Sequence, residues 1–189
     1  MKLRAEFMDD SLERDKLQSD LSEMEHLVRE GVAYARSVHG STEVNCRLDL
    51  DAFVDSIVFD YQDVGKEVCC SGRYGAPIDT RPHALRRVLI NLLDNALKFS
   101  GAAELVVGAE ANGSVSIKVL DRGPGIPADE LDEVLKPFYR VESSRNRETG
   151  GTGLGLAIAQ QLAIALGGSL SLTNREGGGL CAQLILPAE

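Results

Sequence analysis

The sequence predicts an α+β fold, a mixed or antiparallel sheet covered on one face by helices, with a helical segment ahead of it. Three observations carry this. Apolar residues in the first 40 positions recur at heptad spacing. Short alternating strand patterns group towards the end with helical patterns between them, which favours an α+β sandwich over a doubly wound sheet. Nine of the 19 glycines fall between Gly150 and Gly179, where a backbone must come close to something.

The elements follow in order. Leu3 to Met8 is helix-compatible, and Asp9-Asp10-Ser11 supplies cap and turn chemistry. Leu17, Leu21, Met24, Val28, Gly31, Ala35 and Val38 then form a heptad seam, read either as one strand of a dimer-forming bundle or as an amphipathic helix laid on its own domain. Ser37 to Thr42 reads as a linker, dividing the chain into 1–40 and 41–189. Val44, Cys46, Leu48 and Leu50 alternate as a strand does, and Phe53 to Tyr61 switches to helical spacing. Glu67 to Ser71 reads as a strand. A helix follows from Arg81 to Phe99, with Pro82 in its first turn. Ala103 to Ala109 and Ser114 to Leu120 form a hairpin about Asn112-Gly113. Helical pattern returns at Asp129 to Leu135 and Leu154 to Leu166. Ser169 to Thr173 and Leu180 to Leu186 are the last strands, flanking Gly177-Gly178-Gly179.

Composition removes whole classes of function. Twenty Lys and Arg against 29 Asp and Glu give a net charge of -9, so no general basic face exists for nucleic acid or an anionic membrane. Any anion must be held locally. Cys46, Cys69, Cys70 and Cys181 match no paired metal spacing and read as reduced thiols. No apolar run approaches the roughly 18 residues of a membrane span, and the start, Met-Lys-Leu-Arg-Ala-Glu, lacks a signal peptide's apolar stretch.

Four segments carry candidate chemistry. In Asn91-Leu92-Leu93-Asp94-Asn95-Ala96-Leu97-Lys98-Phe99, helical spacing puts Asn91, Asn95 and Lys98 on one face. Amide oxygens suit a hard cation and an ammonium suits phosphate; a solvated polar face is the alternative. Asp121-Arg122-Gly123-Pro124-Gly125-Ile126-Pro127 follows a strand, so Asp121 is either a turn cap or a carboxylate aimed into a cleft, where it can accept the amine of adenine. Gly150-Gly151-Thr152-Gly153-Leu154-Gly155-Leu156-Ala157 opens an apolar helix, an arrangement that offers bare amides to an anion, though it is neither a Walker A loop nor a dinucleotide fingerprint. Lys136-Pro137-Phe138-Tyr139-Arg140 leads into a polar stretch, Val141 to Thr149, that reads as a lid anchored by Phe138 or as a surface loop. Basic residues outnumber acidic ones in Arg81 to Ser100 and in Lys136 to Arg147, two local exceptions on an acidic chain.

Taken in order, NLLDNALKF, DRGPGIP, KPFYR and GGTGLGLAIA resemble the N, G1, F and G2 boxes of the sensor histidine kinases of two-component signalling. The resemblance covers roughly Arg81 to Leu166 and implies the Bergerat fold shared with gyrase B, MutL and the ninety-kilodalton heat-shock chaperones. It further implies ATP and Mg²⁺ as cofactors. By that similarity Asn95 is the magnesium ligand and Asn91 lies beside it, contacting phosphate or metal-bound water. Lys98 reaches a phosphate, and Phe99, where many relatives carry Tyr, packs on the nucleotide. Asp121 holds the adenine amine while Gly123 and Gly125 shape the pocket. Gly151, Thr152, Gly153, Leu154 and Gly155 bring the loop to the phosphates, Phe138 anchors the lid, and Arg140 reaches the γ-phosphate when the lid closes. Asn91, Lys98 and Arg140 are thus the catalytic set, in a reaction that needs mainly positioning and charge neutralisation.

The N-terminal helices likewise resemble part of the family's dimerisation and phosphotransfer hairpin, implying a homodimer through these helices and a response-regulator receiver domain as partner. The H box is absent, and His26, His39 and His83 lack its surrounding motif. The chain therefore reads as a cytoplasmic fragment starting just downstream of the acceptor histidine, its parent anchored in a membrane through parts not present here. It is expected to bind Mg-ATP without phosphorylating itself. Rival readings are a Bergerat ATPase, an anti-sigma-type serine kinase, and a non-catalytic dimerisation and docking module. The ATPases place a general-base Glu where this chain has Asn91.

Overall fold

A computed structural model of the chain describes residues 11–38, 43–141 and 151–187. The expected short helix Leu3 to Met8, linker positions 39–42 and most of the stretch from Val141 to Thr149 lie outside the described residues, as does His39.

The first element is α1 (Ser11–Val38), which begins before the heptad seam and continues through Ser37 and Val38, where a linker was expected. It packs against α4 (Gly155–Ala165), and Tyr34, which is not a seam residue, is partly buried against the core. Of the described seam residues, Met24 is 61% and Val28 65% exposed.

Next come β1 (Cys46–Asp49), α2 (Leu50–Asp63), β2 (Glu67–Gly72) and β3 (Pro77–Thr80). Leu50, expected to end the strand, is instead the first helical residue, because Asp49 caps α2 by accepting the Ala52 N–H at 3.0 Å. The short strand β3 was not foreseen. It opens on a proline, has only four residues, and pairs with β1 alone in a two-stranded antiparallel ribbon.

Then follow α3 (Pro82–Ser100), β4 (Ala102–Ala109), β5 (Val115–Leu120), α4, β6 (Ser169–Asn174) and β7 (Leu180–Leu186). The main sheet has the order β2-β4-β5-β7-β6, parallel only between β2 and β4 and antiparallel elsewhere. It is the mixed sheet the strand pattern called for. Alternation sends one row of each strand into the core, as with Leu105 and Val107 of β4, Ile117 and Val119 of β5, and Leu180, Ala182 and Leu184 of β7. Helices cover that face. From α3 come Leu85, Val88, Leu89, Leu92, Leu93 and Ala96, and from α4 come Ile158, Ala159, Leu162 and Ala163. Each fully buried Leu or Ile contributes about 1.5–3 kcal/mol relative to exposure.

Between β5 and α4 the helix expected at Asp129 to Leu135 shrinks to one 3₁₀ turn, Glu133–Leu135. Pro127 and Pro137 bound the segment, and the nine residues between the prolines are too few to nucleate a stable α-helix without broad packing. Val134 and Leu135 alone are buried from it.

One contact ties the end of the N-terminal segment to the helix that carries the polar face. Arg81 at the N-cap makes no side-chain capping bond. Instead Glu43, some 40 residues upstream, accepts the His83 N–H at 2.8 Å and the Ala84 N–H at 3.1 Å, satisfying two amides at the positive end of α3. Replacing Glu43 with Ala should lower the unfolding free energy by about 1–2 kcal/mol, read from denaturant melts. An unchanged midpoint and slope would show that this carboxylate does not hold the helix.

Candidate functional site

A cavity of about 260 Å³ opens between α3, the loop after β5 and the glycine-rich entry to α4. Its floor is the polar face of α3, where Asn91, Asn95, Lys98 and Phe99 all border the space. The helix presents them because Leu92, Leu93 and Ala96 are drawn into the core on the other side. The Asn91 amide donates to the Arg87 carbonyl one turn back at 2.8 Å, which leaves its Oδ1 directed at Gly155; a β-carbon there would stand 3.4 Å from that oxygen. Asn95 has no hydrogen-bond partner among the described residues. The Lys98 ammonium sits 5.1 Å from the Phe99 ring centroid and so close to Gly151 that a β-carbon there would collide with it.

Asp121 closes the opposite end. Only 7% exposed, it is the first residue past β5. Its Oδ1 accepts two backbone amides, Gly123 at 2.7 Å and Leu180 at 3.1 Å, while its other oxygen has no partner among the described residues. Its main chain is held as tightly, since the Asp121 N–H donates to the Leu180 carbonyl at 3.0 Å and Arg175 Nη1 donates to the Asp121 carbonyl at 2.7 Å. The sequence left open whether this residue capped a turn or faced a cleft. Asp121 caps the turn through Oδ1 and also borders the cavity.

The third wall is the entry to α4. Gly151, Thr152, Gly153 and Gly155 border the cavity. Leu154 does not: its side chain is fully buried in the core, and its part in the loop is its main chain, whose N–H donates to Thr152 Oγ1 at 3.2 Å. Gly153, at φ +74°, passes so near the preceding segment that a β-carbon would lie 2.8 Å from the Tyr139 carbonyl, and its own carbonyl accepts the Phe138 N–H at 2.9 Å. Phe138 is thereby held at φ +63°, an uncommon conformation for an aromatic residue. Phe138 does not border the cavity and is 66% exposed. The residues that do face the cavity are Tyr139, Arg140 and Val141, with Tyr139 partly buried against the core. Gly123 also stands outside the lining and acts through its amide to Asp121.

The two basic stretches narrow on folding. Arg86 pairs with Asp60 and Lys136 with Glu133, so of the described cations in those stretches Lys98 and Arg140 border the cavity. Arg145 and Arg147 lie outside the described residues. The cavity thus has a carboxylate at one end and an ammonium with bare helix-terminal amides at the other.

A family model described as "Histidine kinase-, DNA gyrase B-, and HSP90-like ATPase" matches residues 80–189. The chain belongs to that family. Within it the chain is a histidine kinase catalytic domain, an assignment that its relatives support. The sensor histidine kinase GtrS of Pseudomonas aeruginosa is 37% identical over 99% of this chain and 38% of its own length. The sensor protein RstB of Escherichia coli is 32% identical over 95% of this chain and 43% of its own. The chain therefore spans about two fifths of the curated relatives it matches. Among solved structures, full-length ShkA in complex with AMPPNP superimposes with a TM-score of 0.73 at 24% identity, over 95% of this chain and 39% of that one. The Acinetobacter baumannii histidine kinase AdeS gives 0.71 at 22%, over 100% of this chain and 92% of that one. At those identities the structures speak for the fold.

In this histidine kinase domain the sequence reading brought Asn91, Asn95, Lys98, Phe99, Asp121, Gly125, Arg140, Gly151, Thr152, Gly153 and Gly155 to one cavity. It missed Asp94, Pro124, Ile126, Val134, Tyr139, Val141, Leu156 and Leu180. Asp94 lies on the same helix between Asn91 and Asn95, and its carboxylate accepts the Tyr61 hydroxyl at 2.6 Å; burial, with that bond, pushes the Tyr61 phenol well above its usual range. Ile126 and Leu180 are apolar and carry no local signal of a site. Tyr139 sits inside the KPFYR motif, and its neighbour Phe138 drew the assignment.

The Tyr139 hydroxyl donates to Glu130 Oε2 at 2.7 Å, and that bond, ahead of burial, pushes the phenol up to about 12. A raised value means that the bond contributes fully below the unfolded midpoint near 10 and is lost as pH rises through about 12. Changing Glu130 to Gln should bring the Tyr139 titration back towards 10, followed by tyrosinate absorbance against a Tyr139→Phe control. A midpoint that does not move would show that Glu130 does not hold this wall of the cavity.

Proposed function

We propose that the chain is the ATP-binding kinase domain of a sensor histidine kinase. In this reading the γ-phosphoryl group passes to a histidine on the dimerisation helix of the full-length protein, for relay to a response-regulator receiver domain. The observation that carries it is the polarity of the cavity, with one carboxylate oxygen without a partner at one end and an ammonium beside helix-terminal amides at the other.

Each residue's task follows from its place. Asp121 accepts the exocyclic amine of adenine through the oxygen that the Gly123 and Leu180 amides leave free. Phe99 and Ile126 give the base apolar surface. Lys98 and the amides of Gly151, Gly153 and Gly155 neutralise and orient the phosphates, aided by the positive end of the α4 dipole. Arg140 stands at the cavity edge to meet charge on the γ-phosphate.

The donor set also fits magnesium. Mg²⁺ keeps several waters and takes phosphate oxygens, so it asks little of the protein, and the Asn95 amide, a hard oxygen ligand with no competing partner among the described residues, meets that need with Asn91 beside it. When bound, the ion offsets charge that builds on the phosphates.

The transfer breaks the bond between the γ-phosphorus and its bridging oxygen and forms one to an imidazole nitrogen, with ADP leaving. Water is a poor substitute nucleophile here, because the base position holds the Asn91 amide, and an amide takes no proton. The exposed seam residues Met24 and Val28 supply a face for a second copy of α1, and the membrane anchor and sensor belong to the remainder of the full-length protein.

Calorimetric titration of the chain should show saturable ATP binding that Mg²⁺ strengthens. Asn95→Ala should remove most of that strengthening while melting at the parent's temperature. Binding indifferent to Mg²⁺ in both would sink the metal assignment, and steady phosphate release well above background would favour an ATPase. Met24→Glu with Val28→Glu should leave a monomer by light scattering; a dimer that survives would place the interface elsewhere.

A further inference from the structure

The loop that forms the base end of the cavity, Arg122 to Pro127, has no helix or strand of its own. Its hold comes from elsewhere. Asn174, the last residue of β6, reaches across to it: its Oδ1 accepts the Ile126 N–H at 2.9 Å and its Nδ2 donates to the Ile126 carbonyl at 2.6 Å. One side chain therefore pairs with both main-chain groups of one residue, as a neighbouring strand would.

Gly125 makes room for this pairing. At φ +74°, a β-carbon there would come within 2.7 Å of Asn174 Oδ1. The second glycine of the Asp-Arg-Gly-Pro-Gly turn thus has a reason other than approach to a ligand: a side chain there would displace the asparagine. The next residue completes the brace, since Arg175 holds the Asp121 carbonyl. That turn is itself closed, by the Arg175 N–H to the Gly179 carbonyl at 2.9 Å and the Gly178 N–H to the Arg175 carbonyl at 3.1 Å.

We infer that Asn174 is a positioning residue for the base pocket. It fixes the Ile126 loop at the height at which Asp121 meets adenine, and so sets both affinity for the base and the choice of base. The inference rests on the proposed nucleotide reading of the cavity and adds to it a residue 53 positions beyond Asp121, outside all four motifs.

The test is titration of the full 189-residue chain and its Asn174→Ala variant with ATP and with GTP, Mg²⁺ present, beside thermal melting without ligand. Loss of two loop hydrogen bonds should weaken ATP binding about tenfold and shrink the preference for ATP over GTP, with melting little changed. Asn174→Asp, which keeps the acceptor for the Ile126 N–H and loses the donor to its carbonyl, should fall between the two, and it replaces the alanine variant if that fails to fold. A folded variant with the parent's ATP affinity and preference overturns the inference, as does an equal loss for both nucleotides with lowered melting. If the parent chain itself binds no ATP, the reading of the cavity fails and takes this inference with it, an outcome distinct from a parent that binds and a variant that matches it.

Discussion

The structure turns on one buried carboxylate. Asp121 leaves the end of β5 at a point where two otherwise unpaired amides, those of Gly123 and Leu180, converge on a single oxygen. A buried ionised carboxylate without such donors would cost several kcal/mol. With them, the charge is held and the second oxygen is presented to the cavity. Much of the surrounding chain is arranged to allow this. Gly179, at φ +100°, must lack a β-carbon because one would run into the Asp121 carbonyl, and Arg175 reaches back to that same carbonyl. The sheet order that places β7 beside β5 brings these pieces to one spot.

The other end of the cavity solves the converse problem. A chain with a net charge of -9 cannot attract a polyanion by its overall field, so positive potential has to be local. Folding concentrates it. Arg86 and Lys136 are neutralised by neighbouring carboxylates, while Lys98 is kept at the cavity, against the Phe99 ring and the first glycine of the α4 entry. Backbone amides at a helix start add partial charge without a basic side chain. Glu43, at the opposite end of α3, fastens the helix that carries three of the polar groups.

Much of this was legible in the sequence, for identifiable reasons. The strands of the main sheet alternate because one face is buried, and α3 reads clearly because Pro82, a seven-residue apolar face and Gly101 mark its start, body and end. The polar face Asn91, Asn95 and Lys98 was readable because helical periodicity alone groups these residues. What escaped depended on tertiary contact. Strand β3 has no pattern of its own length, and Leu50 was taken by the Asp49 cap. The segment around Val134 borrowed its burial from neighbours rather than from a helix. Within the site, apolar Ile126 and Leu180 carry no chemical signature, and the exposed Phe138 shows that an aromatic in a motif can serve the backbone turn more than the cavity. Asn174 was invisible for the plainest reason: its partner is 48 residues away.

The central claim is that the free oxygen of Asp121 recognises the amine of adenine. Asp121→Asn tests it with little disturbance, since the amide oxygen can still accept Gly123 and Leu180 while an NH₂ donor replaces the free acceptor. Calorimetric titration of this variant with ATP should show affinity reduced by roughly ten- to a hundredfold, the range expected for losing a hydrogen bond to a charged group, with melting close to that of the parent. ATP affinity equal to the parent's in a folded Asp121→Asn chain would contradict the account.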